Sequence, residues 1–250
     1  RGEIIDMAGC QRGVISGNHF HDAIQNGVRA KGGSADVLVH GNLFADIPGR
    51  SVNAGGSTGL EFFRPLDAPC EAARIRIVAN VFERSGSESG AAVAFVGCDA
   101  CAFVHNTVIE PRTWIARILQ ESTDARFVPS RDGLFAGNVV VLRSADIRAF
   151  VNVGGGTAPE TFVFVRNLWY ALDEGAGWAG PSLAGTGVPP EMGALVQRDP
   201  DFADAAAGDY RIGATSPAAG AGGALPFALP PDFDGRCYAD PPSLGAFEAR

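Results

Sequence analysis

The positively charged side chains of this chain are almost all arginines, and the single lysine lies close to one of them. Nineteen of the 20 basic residues are arginine, and the exception, Lys31, follows Arg29 by two positions in the segment 27–34. Side chains two positions apart in an extended segment point to the same face. A guanidinium and an ammonium group on one face can hold the carboxylates of an anionic ligand.

The elements that position these cations repeat along the chain. An asparagine flanked by apolar residues recurs six times. The repeated residues are Asn18, Asn42, Asn80, Asn106, Asn138 and Asn167. Their spacings run from 24 to 38 residues, which is typical of a minimal unit with loops of variable length. With an apolar segment upstream of the asparagine, two or three short strands per unit form one coil of a parallel β-solenoid, whose stacked coils share a core. At the coil corners the asparagine amides can form a hydrogen-bonded ladder.

The composition fits many short apolar segments cut by turns. The 250 residues include 33 glycines and 16 prolines, yet 46% of them are hydrophobic. This combination argues against a helical bundle, a coiled coil and a large α/β sheet. The net charge of −8 argues against a general nucleic-acid binder, which needs basic surface, and there is no apolar run of 18 residues to predict a membrane span.

We therefore expect an all-β fold in a single domain with two parts. Residues 1–172 are predicted to form about six coils, and residues 173–250, rich in glycine, alanine and proline, to form an extended wrap that caps the last coils. Within the segment 112–128, apolar residues recur at helical spacing. Because this segment occupies the upstream-strand position of its coil, we interpret it as a strand.

Alternation along the upstream strands predicts which side chains face solvent. If one valine of each strand points inward, the residue after it points outward. The inward residues would be Val28, Val52, Val93 and Val151, and the outward ones Arg29, Lys31, Asn53, Ala94, Arg117 and Asn152. This neutral-to-basic strip on an acidic protein favours an anionic polymer as the ligand. In the alternative interpretation, its arginines are ordinary solvated residues.

The pattern as a whole resembles the right-handed parallel β-helix of the pectate-lyase-like class. The tail strengthens the resemblance, since the segments 199–202, 208–211 and 244–248 resemble the closing part of many secreted bacterial β-helix proteins. The resemblance implies a secreted or periplasmic protein. It also implies that an extended ligand, in this case an anionic polysaccharide, lies along the upstream strands.

The segment around Lys31 resembles part of the site of β-helix polysaccharide lyases that act on alginate or chondroitin-type chains. The resemblance implies that Lys31 removes the proton α to a uronate carboxyl group, after which the 4-linked sugar leaves by β-elimination. A neighbouring cation such as Arg29 would favour the neutral amine that this step needs. An arginine, for which Arg50, Arg64 and Arg117 are the candidates, or a calcium ion would neutralise the uronate.

The sequence departs from those lyases in two places, which leaves a second function open. The residues 53–56 stand where the family has an Arg-His pair, and Ile24 and Asn26 stand where it has calcium-binding carboxylates. We therefore predict no cofactor and assign no metal ligand, although calcium could bind elsewhere. The alternative is a non-catalytic carbohydrate-binding or surface-structural module that keeps the strip without the chemistry.

A third interpretation is a glycoside hydrolase, which needs two carboxylates about 5–10 Å apart. The acids to test are Glu61 and Glu121, for which pairing with Arg64 or Arg117 is the simpler expectation. In the loop 55–65, adjacent phenylalanines could stack on sugar rings or pack the loop onto its coil. The candidate substrate-binding residues are thus Asn53, Asn152, Glu61, Phe62, Phe63, Arg64 and Glu121.

Five cysteines indicate one disulfide and leave a weak signal for zinc. Cys70 and Cys98 lie at similar distances before the asparagines of adjacent coils, which predicts a disulfide between them, as in an exported protein. Cys98, Cys101 and His105 resemble half of a zinc site, but no second pair follows at zinc-finger spacing. All four histidines flank the repeated asparagines and are expected to be exposed turn residues.

Overall fold

The protein is built from short strands that stack in parallel sheets. A computed structural model describes residues 2–88 and 90–250. Along the chain, the strands enter a first, a second and a third parallel sheet in a repeated order. We call one such passage a coil; neighbouring strands of a sheet come from successive coils. This arrangement confirms the all-β prediction and the parallel pairing of the strands.

Each of the three parallel sheets is ordered as its strands follow one another along the chain. The first sheet has six strands, Glu3–Ala8, Asn26–Lys31, Val52–Gly55, Ala91–Val96, Thr113–Leu119 and Ile147–Val153. The second sheet has six, Val14–Ser16, Leu38–His40, Arg76–Val78, Ala102–Val104, Leu134–Ala136 and Val163–Val165. The third sheet has seven, His19–Phe20, Leu43–Ala45, Val81–Glu83, Thr107–Ile109, Val139–Leu142, Leu168–Ala171 and Leu195–Val196.

Smaller elements complete the described chain. A short parallel sheet joins the first sheet to the second at one corner, with the strands Ser34–Ala35, Ala72–Ala73 and Cys98–Asp99. An antiparallel pair in the tail consists of Phe202–Asp204 and Asp209–Ile212. Single 3-10 turns span Leu60–Phe62, Ser144–Asp146, Pro159–Thr161 and Ala205–Ala207. The strand expected within 112–128 is present as Thr113–Leu119, although its apolar spacing is helical.

The core consists of rows to which each coil adds one side chain. In the third sheet, Phe44 stacks between Phe20 and Phe82 with ring centroids 4.7 and 4.9 Å apart. In the second sheet, Phe135 stacks in the same way between Phe103 and Phe164, at 5.1 and 4.9 Å. A single coil would leave such a row exposed, so the stack folds as one unit. The valines predicted to point inward from the first sheet are all buried, namely Val28, Val52, Val93 and Val151.

The predicted asparagine ladder is present at the corner between the second and third sheets. In each step, the side-chain oxygen of one asparagine accepts hydrogen bonds from the backbone and side-chain amides of the asparagine one coil earlier. At its last step, Glu191 replaces the asparagine, and its Oε1 accepts from the backbone N and the Nδ2 of Asn167, both at 2.8 Å. Burial raises the pKa of Glu191, and these hydrogen bonds oppose that effect. Glu191 lies outside the repeat, so no spacing in the sequence pointed to it.

The predicted Cys70–Cys98 disulfide is wrong, because Cys98 is bonded to Cys101. The two bonded residues flank a single turn around Ala100, which has a left-handed φ of 55°, and their Cα atoms lie 6.3 Å apart. The register of the corner sheet places Cys98 opposite Ala72 rather than Cys70. Cys70 remains a buried thiol, and burial raises its pKa to about 11. Ala72 and Cys98 each lie eight residues before the asparagine of their coil, whereas Cys70 lies ten residues before Asn80 and is therefore two positions out of register with Cys98.

The tail packs against the outer faces of the second and third sheets. Leu225, Phe227 and Tyr238 lie against the row formed by Val78 and Val104 in the second sheet. Backbone hydrogen bonds join the tail to the stack, including Gly245 N to Gly137 O at 2.8 Å. The tail therefore covers apolar side chains that point outward from these two sheets.

His105 lies beneath this tail, so the expectation that all four histidines are exposed is wrong for it. Its side chain is fully buried, its Nδ1 lies 2.9 Å from the carbonyl oxygen of Ser243, and its ring packs 5.2 Å from that of Tyr238. Its Nε2 has no hydrogen-bond partner among the described residues. Burial lowers the pKa of His105 to about 4, against the opposing effects of the Ser243 carbonyl and Glu248.

This burial predicts that the protein loses stability in mild acid. Between pH 6.5 and about 4, the unfolded chain binds a proton at His105 that the folded chain excludes, so stability falls as the pH drops through this range. We expect a loss of about 2 kcal/mol from this residue between pH 7 and pH 4.5. Urea unfolding at pH 7 and pH 4.5 measures it, with His105→Gln as the variant that lacks the titration. An equal pH dependence in both proteins would contradict the assignment.

Candidate functional site

The outward strip predicted on the first sheet forms a continuous row across its strands. The backbone register places Arg29 beside Asn53, Asn53 beside Ala94, Ala94 beside Arg117, and Arg117 beside Asn152. The order of the row follows the sequence prediction, but Ala94 and Asn53, which were expected to be exposed, are fully buried. The row extends one strand further than we expected, because Asp6 in the strand Glu3–Ala8 pairs with Arg29.

A polar cleft of about 300 Å³ opens on this face. Three arginines from three coils line it together, Arg29, Arg50 and Arg117. The remaining lining residues are Gln25, Asn26, Gly49, Glu88 and Glu121. Arg50 was considered only as a replacement for the missing arginine of the lyases, since it precedes the strand Val52–Gly55 in the chain and the alternation of that strand does not assign it a face. We call this set of lining residues the arginine cleft.

Arg117 lies on a rigid support in the arginine cleft. Its guanidinium carbon lies 4.2 Å from the ring centroid of Trp114, and its Nε donates to Oδ1 of Asn152 at 2.9 Å. Burial, and after it the charge of Arg50, lower the pKa of Arg117 to about 10, and Glu121 opposes both effects. The guanidinium of Arg117 is thus partly desolvated and close to a second positive charge. An anion bound in the cleft would reduce the free-energy cost of keeping Arg117 charged.

Arg50 is anchored by Asn53, three residues later in its own coil, and reaches Glu121, two coils further along the stack. Its Nη1 donates to Oδ1 of Asn53 at 3.1 Å, and its Nη2 donates to Oε1 of Glu121 at 2.8 Å. Asn53 is fully buried, and its Nδ2 has no partner among residues 2–88 and 90–250. Asn53 was expected to face outward and contact a substrate, whereas the structure shows it as the buried support of Arg50. The expected pair between Glu121 and Arg117 is replaced by the pair with Arg50.

The other two cations of the strip also contact carboxylates. Arg29 Nη2 lies 2.6 Å from Oε1 of Glu3, and Lys31 Nζ lies 3.1 Å from Oδ2 of Asp6. Both acids belong to the strand Glu3–Ala8, and the sequence interpretation missed them. Ile5 and Met7 alternate with Asp6 in that segment, so the alternation could have revealed an outward carboxylate.

The ion pair of Lys31 with Asp6 affects its expected role as the catalytic base. An amine that donates to a carboxylate does not offer its lone pair to a substrate proton. The sequence interpretation considered only the cation Arg29 as its neighbour, and the structure adds the anion Asp6 at 3.1 Å. Gly56 covers both basic side chains, because a Cβ on that glycine would lie 3.3 Å from Cδ of Arg29 and from Cδ of Lys31.

A buried carboxylate, Glu71, fixes the segments around Lys31. Its Oε2 accepts from Gly32 N at 2.9 Å and from Thr58 Oγ1 at 2.7 Å, and its Oε1 accepts from Thr58 N at 2.9 Å and from Ser122 Oγ. Gly32 follows Lys31, Thr58 belongs to the loop 55–65, and Ser122 follows Glu121. Glu71 thus connects the segment after Lys31, the loop 55–65 and the segment after Glu121 to the coil corner. Sequence reasoning missed it because it lies in a loop outside the repeat.

The candidate residues of the loop 55–65 do not line the arginine cleft. Phe63 is fully buried, and its ring lies 5.1 Å from that of Phe127, so this side chain packs the loop rather than facing a sugar. Phe62 is 60% exposed. Arg64 donates from Nη1 to the backbone carbonyls of Glu61 and Phe63, so the expected ion pair between Arg64 and Glu61 is replaced by main-chain contacts.

Comparison with known proteins assigns no family to this chain. No model of a protein family matches it, and no curated protein matches it significantly. Across residues 2–88 and 90–250, no three or more His, Cys, Asp or Glu side chains are grouped so that they could hold a metal ion. No helix in the described part of the chain is long and apolar enough to cross a membrane.

Proposed function

We propose that the protein binds an acidic polysaccharide along the outer face of its first sheet, centred on the arginine cleft. The observation that carries the proposal is the convergence of Arg29, Arg50 and Arg117 on one open cleft of a chain with net charge −8. Guanidinium groups recognise carboxylates and sulfates through paired hydrogen bonds. Because these three arginines come from three different coils, an extended chain that crosses the first sheet can contact them in turn.

The parallel stack supports a finer proposal for the fold. We interpret the three sheets and their covering tail as a right-handed parallel β-helix of the pectate-lyase-like class. In that class an extended ligand lies along the sheet that corresponds to the first sheet of this protein. The proposal includes a secreted or periplasmic location, which the Cys98–Cys101 disulfide supports.

Binding without cleavage is the function that the geometry supports best. β-Elimination through Lys31 requires this amine to leave Asp6, and the Arg-His pair of the lyases is replaced by residues 53–56. A hydrolase requires two free carboxylates at the cleft, whereas Glu121 is engaged by Arg50. We therefore place the protein with non-catalytic carbohydrate-binding β-helices.

The proposal predicts that removal of one charge in the cleft weakens binding. Arg117→Gln should reduce the affinity for polygalacturonate, alginate or chondroitin sulfate about tenfold or more, since a charge-assisted contact is lost. Isothermal titration of each polymer measures the affinity. Arg74→Gln is the matched control: it removes the same charge at a corner where Arg74 pairs with Asp36 at 2.7 Å, and it should bind like the wild type.

Two outcomes would contradict this assignment. One is equal weakening by both substitutions, which would indicate attraction by overall charge. The other is the absence of binding to any of the three polymers. The same mixtures are to be followed in the ultraviolet band of unsaturated uronates. A rise in absorbance that Lys31→Ala abolishes would identify a lyase instead of a binding protein.

A further inference from the structure

Each of three cations on the first sheet holds a carboxylate of the protein itself. The pairs are Arg29–Glu3, Lys31–Asp6 and Arg50–Glu121. In each pair, a side chain of this chain occupies a position in which a uronate or sulfate could contact the same cation. A polymer that binds to this face must displace such a carboxylate or share its cation.

The pairs differ in how firmly the carboxylate is held. Glu3 is 14% exposed and also accepts from Nδ2 of Asn26 at 3.2 Å, so two groups fix it in place. In the third pair, the Arg50 side chain is 17% exposed and anchored by Asn53, whereas the Glu121 side chain is 35% exposed. The arginine is thus the fixed partner and the carboxylate the accessible one.

Glu121 interacts with two of the three arginines of the cleft. It lines the cleft together with them, pairs directly with Arg50, and its charge raises the pKa of Arg117. Glu121 lies just beyond the end of the strand Thr113–Leu119, where movement of the side chain breaks no sheet hydrogen bond. An exposed ion pair of this kind contributes little to folding, so exchanging its carboxylate for another costs the fold little.

We propose that Glu121 is a displaceable internal carboxylate, which occupies the anion position on Arg50 until the acidic group of a polysaccharide replaces it. This inference rests on the proposed function. It makes Glu121 a specificity residue: a single weak acid gains little by replacing one carboxylate with another. A polymer can displace Glu121, because its neighbouring acidic groups contact Arg29 and Arg117 at the same time and these contacts add to the binding free energy. The site therefore selects polyanions over acidic monosaccharides.

The test compares two substitutions that each remove one negative charge. Glu121→Gln removes the internal competitor, and Asp36→Asn removes a carboxylate that pairs with Arg74 outside the cleft. Asparagine tolerates the left-handed φ of 57° at position 36, so the control should keep the fold. We expect Glu121→Gln to bind polygalacturonate and chondroitin sulfate about three- to tenfold more tightly, and Asp36→Asn to bind as the wild type does. Galacturonic acid should also gain affinity for Glu121→Gln relative to the wild type.

Each outcome of these titrations decides a separate statement. If the wild type binds and Glu121→Gln binds equally or more weakly, the inference about Glu121 is wrong while the proposed function stands. If both substitutions increase affinity to the same extent, overall charge accounts for the change and the inference is again wrong. If neither the wild type nor Glu121→Gln binds any of the polymers, both statements are overturned. Thermal unfolding of each variant confirms that the comparison is made on folded protein.

Discussion

Replacing Asn106 with alanine should lower the free energy of unfolding by about 4–5 kcal/mol, the largest effect we expect from a single side chain. Asn106 is fully buried in the middle of the asparagine ladder. Its Nδ2 donates to the carbonyls of Ile77 and Val104 at 2.9 and 3.1 Å, and its Oδ1 accepts from the backbone N and the Nδ2 of Asn80 at 2.9 and 3.0 Å. Alanine leaves these buried groups without partners.

The end of the same ladder provides the control. Asn18 is exposed, and no coil precedes it in the described stack to donate to its side-chain oxygen. Asn18→Ala should therefore cost about 1 kcal/mol or less. Urea unfolding monitored by tryptophan fluorescence gives both values. Similar losses for the two variants would show that the ladder does not act through buried hydrogen bonds.

Replacing Glu71 with alanine should lower the free energy of unfolding by about 4 kcal/mol, because several buried donors lose a charged acceptor together. The orphaned groups are Gly32 N, Thr58 N and two hydroxyl groups. These groups belong to segments that lie next to Lys31 and Glu121. We therefore also expect the folded variant to bind acidic polysaccharides more weakly.

Glu71→Gln separates the charge from the shape of this side chain. The amide keeps one oxygen, but its NH2 group faces donors, so we expect about half of the loss caused by alanine. Glu174→Ala is the control for a glutamate whose hydrogen bond, to Ser144 Oγ at 2.6 Å, lies on the surface, and it should cost about 0.5 kcal/mol or less. A change at Glu71 no larger than at Glu174 would contradict the anchoring role.

The parts of the fold that repeat in every coil were predictable from the sequence. The asparagine ladder follows from the repeat and the inward valines from strand alternation, and both predictions are confirmed. The same alternation gave the order of Arg29, Asn53 and Arg117 along the first sheet but not the burial of Asn53. Each of these features is determined within one coil and copied to the next, so it can be read without knowing any long-range contact.

The features that depend on how coils and loops meet were not predictable in the same way. The disulfide prediction failed because Cys70 is two positions out of register with Cys98, and Cys98 instead closes a local bridge to Cys101 across one turn. His105 was assigned to solvent because nothing in the sequence shows which corner the tail covers. Arg50 and Glu71 lie in irregular segments, and only the three-dimensional stack brings them to the first sheet.

The most direct test of the proposed function is to locate the bound polysaccharide on the protein. Hydrogen–deuterium exchange is measured with and without a defined oligogalacturonate and an oligosaccharide of chondroitin sulfate. We predict increased protection in the strands Asn26–Lys31, Val52–Gly55 and Thr113–Leu119 and in the segment that carries Glu121, with no change in the tail. Protection confined to the tail or to the second sheet, or no protection at saturating ligand, would contradict binding at the arginine cleft.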